Sequence, residues 1–463
     1  MSNKNFVIEY IANLIDIPYD QIHLVASVGA SFPLGIINHY IKNRTIRLWY
    51  GLIFGVLLQY SLYGSGIIHA FISAIFTYVF VKYFGRKYSA FYVFFFTFAY
   101  LSCMHLYRII FLYGQWSADD TTSIYMMNIC KYSSLAFAYE DGAKDEKELK
   151  NKHSIQYKIK NPPTFLEMMS FTYFYPSACI GPSFEFKDFI DFINFEGCYA
   201  NLPVKFIITS GLKEYAYALL MMAFYGALKP KIPLEYVGTV EYGKQSVLYK
   251  YIYLTIAMTL HRAKFYSGWL LSYAGFIISG IAYTEDDNKE ISFSKGSYGS
   301  IIDCEFGINI KTKITSWNNT VSLWLKYSWF LRLINVKSKT FYNNKKLASL
   351  LTFMMSAFWH GFYPTYYVFF FLFFLLQNAN EYFDKLGLYT YIRSGSYIKR
   401  IPMWLFSQFM VNSLGAIIFN LEWGLFIQFM KNIKCVPIFI ILVLCVYTKV
   451  MSGRMKKKEI KKE

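Results

Sequence analysis

Long apolar runs separated by short polar breaks make up most of this chain. They fall at residues 22–40, 46–62, 66–81 and 89–112, then at 164–180, 204–225, 246–261 and 268–283, and finally at 366–379, 402–419 and 436–450. Runs of this length surrounded by lipid can satisfy their backbone only as helices. The pattern therefore predicts an all-α, polytopic membrane protein of roughly ten to eleven transmembrane helices, with re-entrant or interfacial helices besides.

The additional helices are read where the pattern falters. Residues 121–137 are apolar but short and interrupted by Asn128 and Lys131, which suits a re-entrant or interfacial segment. Gly181-Pro182 should stop a helix and start a turn. Residues 302–333 are no span, because Glu305, Lys311, Lys313 and Asn318 recur too often. A helix over 315–327 would place Asn318, Ser322 and Lys326 on one side and Trp317, Val321 and Trp324 on another. Asn318 would then either face a polar cavity or simply meet water at the interface. Residues 284–300 read as a polar loop. Residues 1–20 alternate too closely for a signal-peptide core, and no repeat or linker divides the rest. One integral membrane domain over 1–463 is expected, with an N-terminal segment at 1–20 and a basic tail at 454–463.

Composition agrees: 55% apolar and 21% aromatic residues, with a mean hydropathy of +0.28, exclude an ordinary soluble enzyme. The 42 Tyr and 45 Phe reflect either lipid-facing and interfacial surface or an AT-rich genome. A net charge of +18 would suggest nucleic acid in a soluble protein. Here Lys and Arg lie between apolar runs, so they serve orientation and attraction to anionic lipid, and no nucleic-acid partner is expected. The seven Cys are scattered without metal-ligand spacing, which argues against a zinc site or a disulfide framework.

Two residues stand out against this background. His360 lies in Ser356-Ala357-Phe358-Trp359-His360-Gly361-Phe362-Tyr363-Pro364, inside an otherwise apolar run, where a titratable ring is costly unless paired or used. Asn318 lies 42 positions earlier in Trp317-Asn318-Asn319-Thr320-Val321-Ser322-Leu323-Trp324-Leu325-Lys326. The basic tail puts the C-terminus in the cytosol, and counting spans back from it leaves His360 on the lumenal side of 366–379. The fourteen positions from Lys346 to His360 give about 20 Å of helix against a hydrocarbon core of about 30 Å, so the ring is expected past the midplane but within the bilayer.

An imidazole there can take a hydroxyl proton while a nearby amide donates to a developing oxyanion or orients the ring. No GxSxG, P-loop or GxGxxG sequence occurs, which favours direct transfer over a covalent acyl-enzyme. These residues alone still allow a transporter with a gating histidine. Arg108, in Met104-His105-Leu106-Tyr107-Arg108 at a helix end, would either snorkel to headgroups or bind an anionic substrate group.

Residues 356–367 (SAFWHGFYPTYY) and 317–325 (WNNTVSLWL) together resemble the paired motifs of the membrane-bound O-acyltransferases, in their lysophospholipid acyltransferase branch. The family's proposed catalytic His and Asn fall on His360 and Asn318. The likeness continues through Met104 to Arg108, Lys131 with Ser134-Leu135-Ala136-Phe137, Asp141-Gly142, Gly181-Pro182-Ser183-Phe184, Lys264-Phe265-Tyr266 with Trp269, and Glu305-Phe306. Thr122-Ser123-Ile124 and Tyr273 depart from the branch's pattern, which bears on headgroup or acyl specificity.

The resemblance implies helices enclosing a buried reaction chamber. It also implies acyl transfer from acyl-CoA, a co-substrate rather than a bound cofactor, to the free, usually sn-2, hydroxyl of a lysophospholipid in the endoplasmic reticulum membrane. On this reading His360 is the general base and Asn318 its orienting or oxyanion partner. Trp317, Thr320, Trp324 and Trp359 line the chamber or merely pack, Glu305 fixes a neighbour or forms a structural ion pair, and cytosolic basic loops meet the CoA phosphates. Lysophospholipid, acyl-CoA and the bilayer are the partners, and no metal is implied. Two alternatives stay open: the same fold acting on a sterol, a diacylglycerol or a protein, and a non-catalytic transporter or scramblase.

Overall fold

The structure, a computed structural model, describes residues 5–14, 17–114, 120–286, 288–335, 345–394, 397–419 and 421–460. Residues 115–119 and 336–344, and the last residues of the basic tail, Lys461, Lys462 and Glu463, lie outside these. In chain order the helices that matter below are α1 (Arg44–Tyr63), α2 (Ile67–Tyr83), α3 (Arg86–Phe111), α4 (Thr121–Asp141), α5 (Phe165–Thr172), α6 (Val247–Ser279), α7 (Ile301–Phe306), α8 (Ile310–Ser316), α9 (Asn319–Trp324), α10 (Lys345–His360), α11 (Pro364–Lys385) and α12 (Tyr397–Phe419). In the polar loop, Thr284–Glu285 pairs antiparallel with Ile291–Ser292, the one sheet among the described residues.

Four helical stretches among the described residues are long and apolar enough to cross a membrane: Tyr19–Asn38, Arg44–Tyr83, Arg86–Phe111 and Ile398–Phe419. Trp423–Asn432 with Val436–Met451, bent by 75°, would make a fifth. Helices α4, α6 and α11 are as long but carry polar residues within them: Asn128 and Lys131, then Lys250, Arg262 and Lys264, then Asn378, Asn380 and Glu381. With its nearly all-helical content, the chain is a multi-pass membrane protein.

Three stretches fold differently from the sequence reading. Residues 121–137 belong to the unbroken, largely buried helix α4 rather than to a re-entrant turn. The polar residues do not break it because protein surrounds them: the Lys131 ammonium donates to Thr172 O at 3.2 Å and to Ser177 Oγ at 3.5 Å, and lies over the rings of Phe171 and Phe184. Residues 246–261 and 268–283 are not separate spans, since the 33-residue α6 runs through both. Ser267 returns its hydroxyl to Lys264 O at 2.8 Å, within the preceding turn, so it does not interrupt the helix.

The run at 164–180 is helical only as far as Thr172, and a 3-10 turn follows at Tyr175–Ser177. The reason lies on α1. Gly51, Gly55 and Gln59 recur every fourth residue and make one bare face. A Cβ on Gly55 would stand 1.4 Å from Tyr173 O, so only glycine lets the two backbones meet. Gln59 Nε2 donates to Ala178 O at 2.7 Å and Tyr63 OH donates to Cys179 O, which satisfies carbonyls that the lost helix leaves open.

The chain divides into two compact units. The first comprises Met1–Gly226, Lys264–Tyr298 and Asn319–Arg332. Its core is aromatic, with Phe171, Phe174, Phe184, Phe189 and Phe192 in mutual edge or tilted contact. The second comprises Ala227–Ala263, Gly299–Asn318 and Leu333–Glu463, and its core is aliphatic as well as aromatic, built on Met258, Leu372, Phe373, Leu376, Met410 and Leu414. His360 and Asn318 both belong to this second unit.

Candidate active site

His360 is the last residue of the sixteen-residue α10. The next residue, Gly361, has φ +129°, a conformation open to glycine, and its N–H still bonds Ala357 O at 3.1 Å. Tyr363 is extended, and Pro364 stands at the first position of α11, where its fixed φ suits a helix start. This local sequence makes a tight helical hairpin and leaves the imidazole at the carbonyl end of α10. Helix is continuous from Lys346 to His360. The ring sits 4.8 Å edge-on from Trp359 and 5.3 Å from both Tyr366 and Phe370, one turn apart on α11.

Asn318 lies in a break, not on a helical stripe. Helix α8 ends at Ser316, Trp317 is extended, Asn318 adopts φ +46°, and α9 begins at Asn319. The amides on either side explain the break. Trp317 N–H bonds Lys313 O at 3.2 Å, which finishes α8, while Asn319 N–H is taken by Tyr298 O at 2.9 Å instead of a carbonyl one turn back. Asparagine is among the few residues that tolerate the left-handed region, and strain of this kind concentrates at functional positions.

Within the second unit α11 supports both residues, because α8 and α10 each pack against it. Asn309, which caps α8 by accepting from Lys311 N–H at 2.8 Å, also accepts from Asn380 Nδ2 of α11 at 3.1 Å. Glu305 of α7 takes two bonds from Arg262, Nε to Oε1 at 2.6 Å and Nη2 to Oε2 at 2.7 Å. Arg262 Nη1 reaches Asn412 Oδ1 at 2.7 Å. Of the two readings of Glu305, the geometry therefore gives the ion pair. The sequence reading missed Arg262 and Asn412, although polar residues inside long apolar helices were the available signal.

The remaining candidates divide between the units. Trp317 and the buried Trp359 accompany Asn318 and His360 in the second. Thr320, Trp324 and Arg108 belong to the first. There Trp324 Nε1 donates to Ser133 Oγ at 2.8 Å and its ring stacks on Phe98, while Thr320 is buried in the first turn of α9. Arg108 forms an ion pair with Asp120 and does not simply extend to a headgroup region. Among the described residues no group of three or more His, Cys, Asp or Glu could hold a metal ion.

Asp141 and Lys313 are among the ionisable groups outside the spans that are displaced from their ordinary behaviour. Burial alone would raise the Asp141 carboxyl, but Arg332 and Lys144 together bring it below the usual carboxylate range. Burial lowers the Lys313 ammonium to about 8, with Glu305 opposing the shift and Arg262 adding to it.

A family model described as the membrane-bound O-acyltransferase family matches residues 77–421. Lysophospholipid acyltransferase of Saccharomyces cerevisiae is 27% identical over 381 residues, covering 76% of this chain and 60% of the yeast protein. Lysophospholipid acyltransferase 6 of Drosophila melanogaster is 25% identical over 390 residues, covering 79% of this chain and 52% of the fly protein. Membrane-bound glycerophospholipid O-acyltransferase 1 of Homo sapiens is 26% identical over 386 residues, covering 77% and 74% respectively. The matched region thus spans between half and three-fifths of the length of the yeast and fly relatives.

Proposed function

The chain belongs to the membrane-bound O-acyltransferase family, and on that premise we propose that it is an acyl-CoA-dependent lysophospholipid O-acyltransferase. The lysophospholipid acceptor class follows from the acyltransferases the chain is similar to. The observation that carries the chemistry is the placing of His360 at the carbonyl end of α10 and of the left-handed Asn318 just past the end of α8, two helices that both pack on α11.

A ring nitrogen of His360 accepts the proton of the lysolipid hydroxyl, at sn-2 in the usual substrate, as that oxygen attacks the thioester carbonyl of acyl-CoA. The partial negative charge at the end of α10 favours the imidazolium that forms. The Asn318 amide donates to the tetrahedral oxyanion or holds the ring in its reactive tautomer. The C–S bond then breaks, and the imidazolium returns its proton to the CoA thiolate, leaving a diacyl phospholipid and free CoA.

Trp317 and Trp359 flank the two reacting side chains in sequence and are proposed to wall the acyl path. Thr320 and Trp324 hold the segment that follows Asn318 in the chain, and Trp324 does so through Ser133. The Asp120 partner of Arg108 favours a structural role over capture of an anionic headgroup. Residence in the endoplasmic reticulum membrane with a cytosolic C-terminus completes the reading, since CoA thioesters are cytosolic and the basic loops then meet their phosphates.

The test is transfer from labelled oleoyl-CoA by the purified chain across a panel of lysophospholipids, with cholesterol and diacylglycerol alongside. Labelled diacyl phospholipid is expected, with its formation abolished in His360→Ala. Product on the sterol or diacylglycerol alone, or full activity in His360→Ala, overturns the assignment.

A further inference from the structure

We propose that Lys313 is a positioning residue that sets the placement of Asn318 by tying α8 to the end of α7. The inference rests on the acyltransferase reading for its kinetic consequence but not for its structural one. Lys313 is buried, and its Nζ donates to Cys304 O at 2.8 Å and Glu305 O at 3.1 Å, two carbonyls in the last turn of α7. A cation at the open carbonyls of a helix end satisfies them and meets their partial negative charge.

The backbone of the same residue faces the other way. Lys313 O accepts the Trp317 N–H at 3.2 Å, the bond that closes α8 immediately before Asn318, and also the Cys304 thiol at 3.8 Å. One residue therefore holds α7 through its side chain and the approach to Asn318 through its carbonyl. The end of α7 is itself immobilised. Glu305 O also accepts from Trp404 Nε1 at 2.9 Å and from Gln408 Nε2, both on α12, while its carboxylate holds Arg262 of α6. Asn309 and Asn380 fix the start of α8 on α11, so Lys313 supplies the second point of attachment that a helix of seven residues needs.

A positioning role can be told from a merely structural one by the opposite signs of two pH effects. The ionisable neighbours of Lys313 are Glu305, Arg262 and Cys304, and burial among them lowers its ammonium to about 8. Between that value and the ordinary lysine value near 10.4, the unfolded chain binds the proton and the folded chain does not. Stability from this group therefore rises with pH through the window, whereas the charge that meets the end of α7 is lost and its hold on the approach to Asn318 weakens.

Lys313→Met keeps the apolar stem and removes the charge. At pH 7 the variant is expected to melt no lower than wild type, yet to show kcat reduced by about tenfold with KM for both substrates nearly unchanged. The gap should narrow as the pH is raised through 8, because wild type then loses the charge that the variant lacks. A kcat equal to wild type at pH 7, or a gap that does not change with pH, overturns the proposal. Amide hydrogen exchange over residues 311–319 at pH 7 gives a reading independent of catalysis: faster exchange in Lys313→Met supports the tie and unchanged exchange refutes it. Should wild type itself transfer no acyl group, the acyltransferase reading fails while this second measurement still decides the role of Lys313.

Discussion

Arg332 donates to both carboxylate oxygens of Asp141, from Nη2 to Oδ2 at 2.8 Å and from Nη1 to Oδ1 at 3.3 Å. The contact closes the attachment of the segment after Asn318 to α4 within the first unit. Trp324 is bound to Ser133, Ser328 lies 3.5 Å from Ser134, and the Arg332 guanidinium lies 3.9 Å above the Phe137 ring. Trp324, Ser328 and Arg332 are four residues apart, and over eight residues a regular α-helix would turn Arg332 roughly 80° away from Trp324. The π-helical turn at Leu325–Phe330 takes more residues per turn and brings the three back to one side.

Asp141→Asn should therefore loosen this segment. Breaking a deeply buried ion pair by removing one partner costs 3–5 kcal/mol, but Arg332 keeps 26% of its side chain exposed, so about 2 kcal/mol is expected. The Asp141 carboxyl lies lower folded than unfolded, so the stabilisation is complete above the ordinary carboxylate value and is lost as pH falls through the folded one. Thermal melts of wild type and Asp141→Asn should differ at pH 7 and begin to converge only as the pH falls below the ordinary carboxylate value near 3.9, towards the lower folded one. Equal melting temperatures at pH 7 would show that the pair contributes nothing to stability.

Asn318 serves two purposes that a glycine separates. Its φ of +46° is accessible to glycine without penalty, so Asn318→Gly preserves the backbone and removes only the amide. If the side chain donates to an oxyanion or orients His360, acyl transfer should fall by about 10²–10³-fold with the melting temperature held. If the asparagine is present only for its backbone, Asn318→Gly should be as active as wild type. Single-turnover transfer from labelled acyl-CoA, beside a thermal melt, distinguishes the two.

Local chemistry made one half of this site readable and long-range chemistry hid the other. The hairpin that presents His360 is encoded within five residues, by Gly361 in a conformation glycine favours and Pro364 opening the next helix. The break at Asn318 depends on Tyr298 capturing the Asn319 amide, a partner twenty-one positions away that no helical periodicity can announce. The same holds for α4, where Lys131 looked like an interruption until Thr172, Ser177 and two phenylalanine rings enclosed it. The early end of α5 is hidden from the sequence because the carbonyls it frees are met by Gln59 and Tyr63 on α1, far away in the chain. Composition and apolar run length located the helices well, but the polar residues inside them were matched to lipid or water when their partners were other parts of the protein.

Glu305 offers the sharpest contrast between a residue that binds substrate and one that holds the scaffold. Its pair with Arg262 is nearly enclosed, at 11% and 7% side-chain exposure, and Arg262 gains a third anchor at Asn412. Removing only the carboxylate charge leaves a buried guanidinium uncompensated, at a cost of about 3–5 kcal/mol. Glu305→Gln should therefore lower the melting temperature in detergent strongly and reduce the folded yield, with KM for lysolipid unchanged in the protein that remains folded. Replacing both partners, as in Glu305→Gln with Arg262→Met, should recover much of the stability, since the stranded charge is gone. A substrate contact would give the reverse pattern, with a raised KM, an unaltered melt and no rescue by the second substitution. Melting curves and KM measured on the two single variants and the double variant assign Glu305 to one pattern or the other.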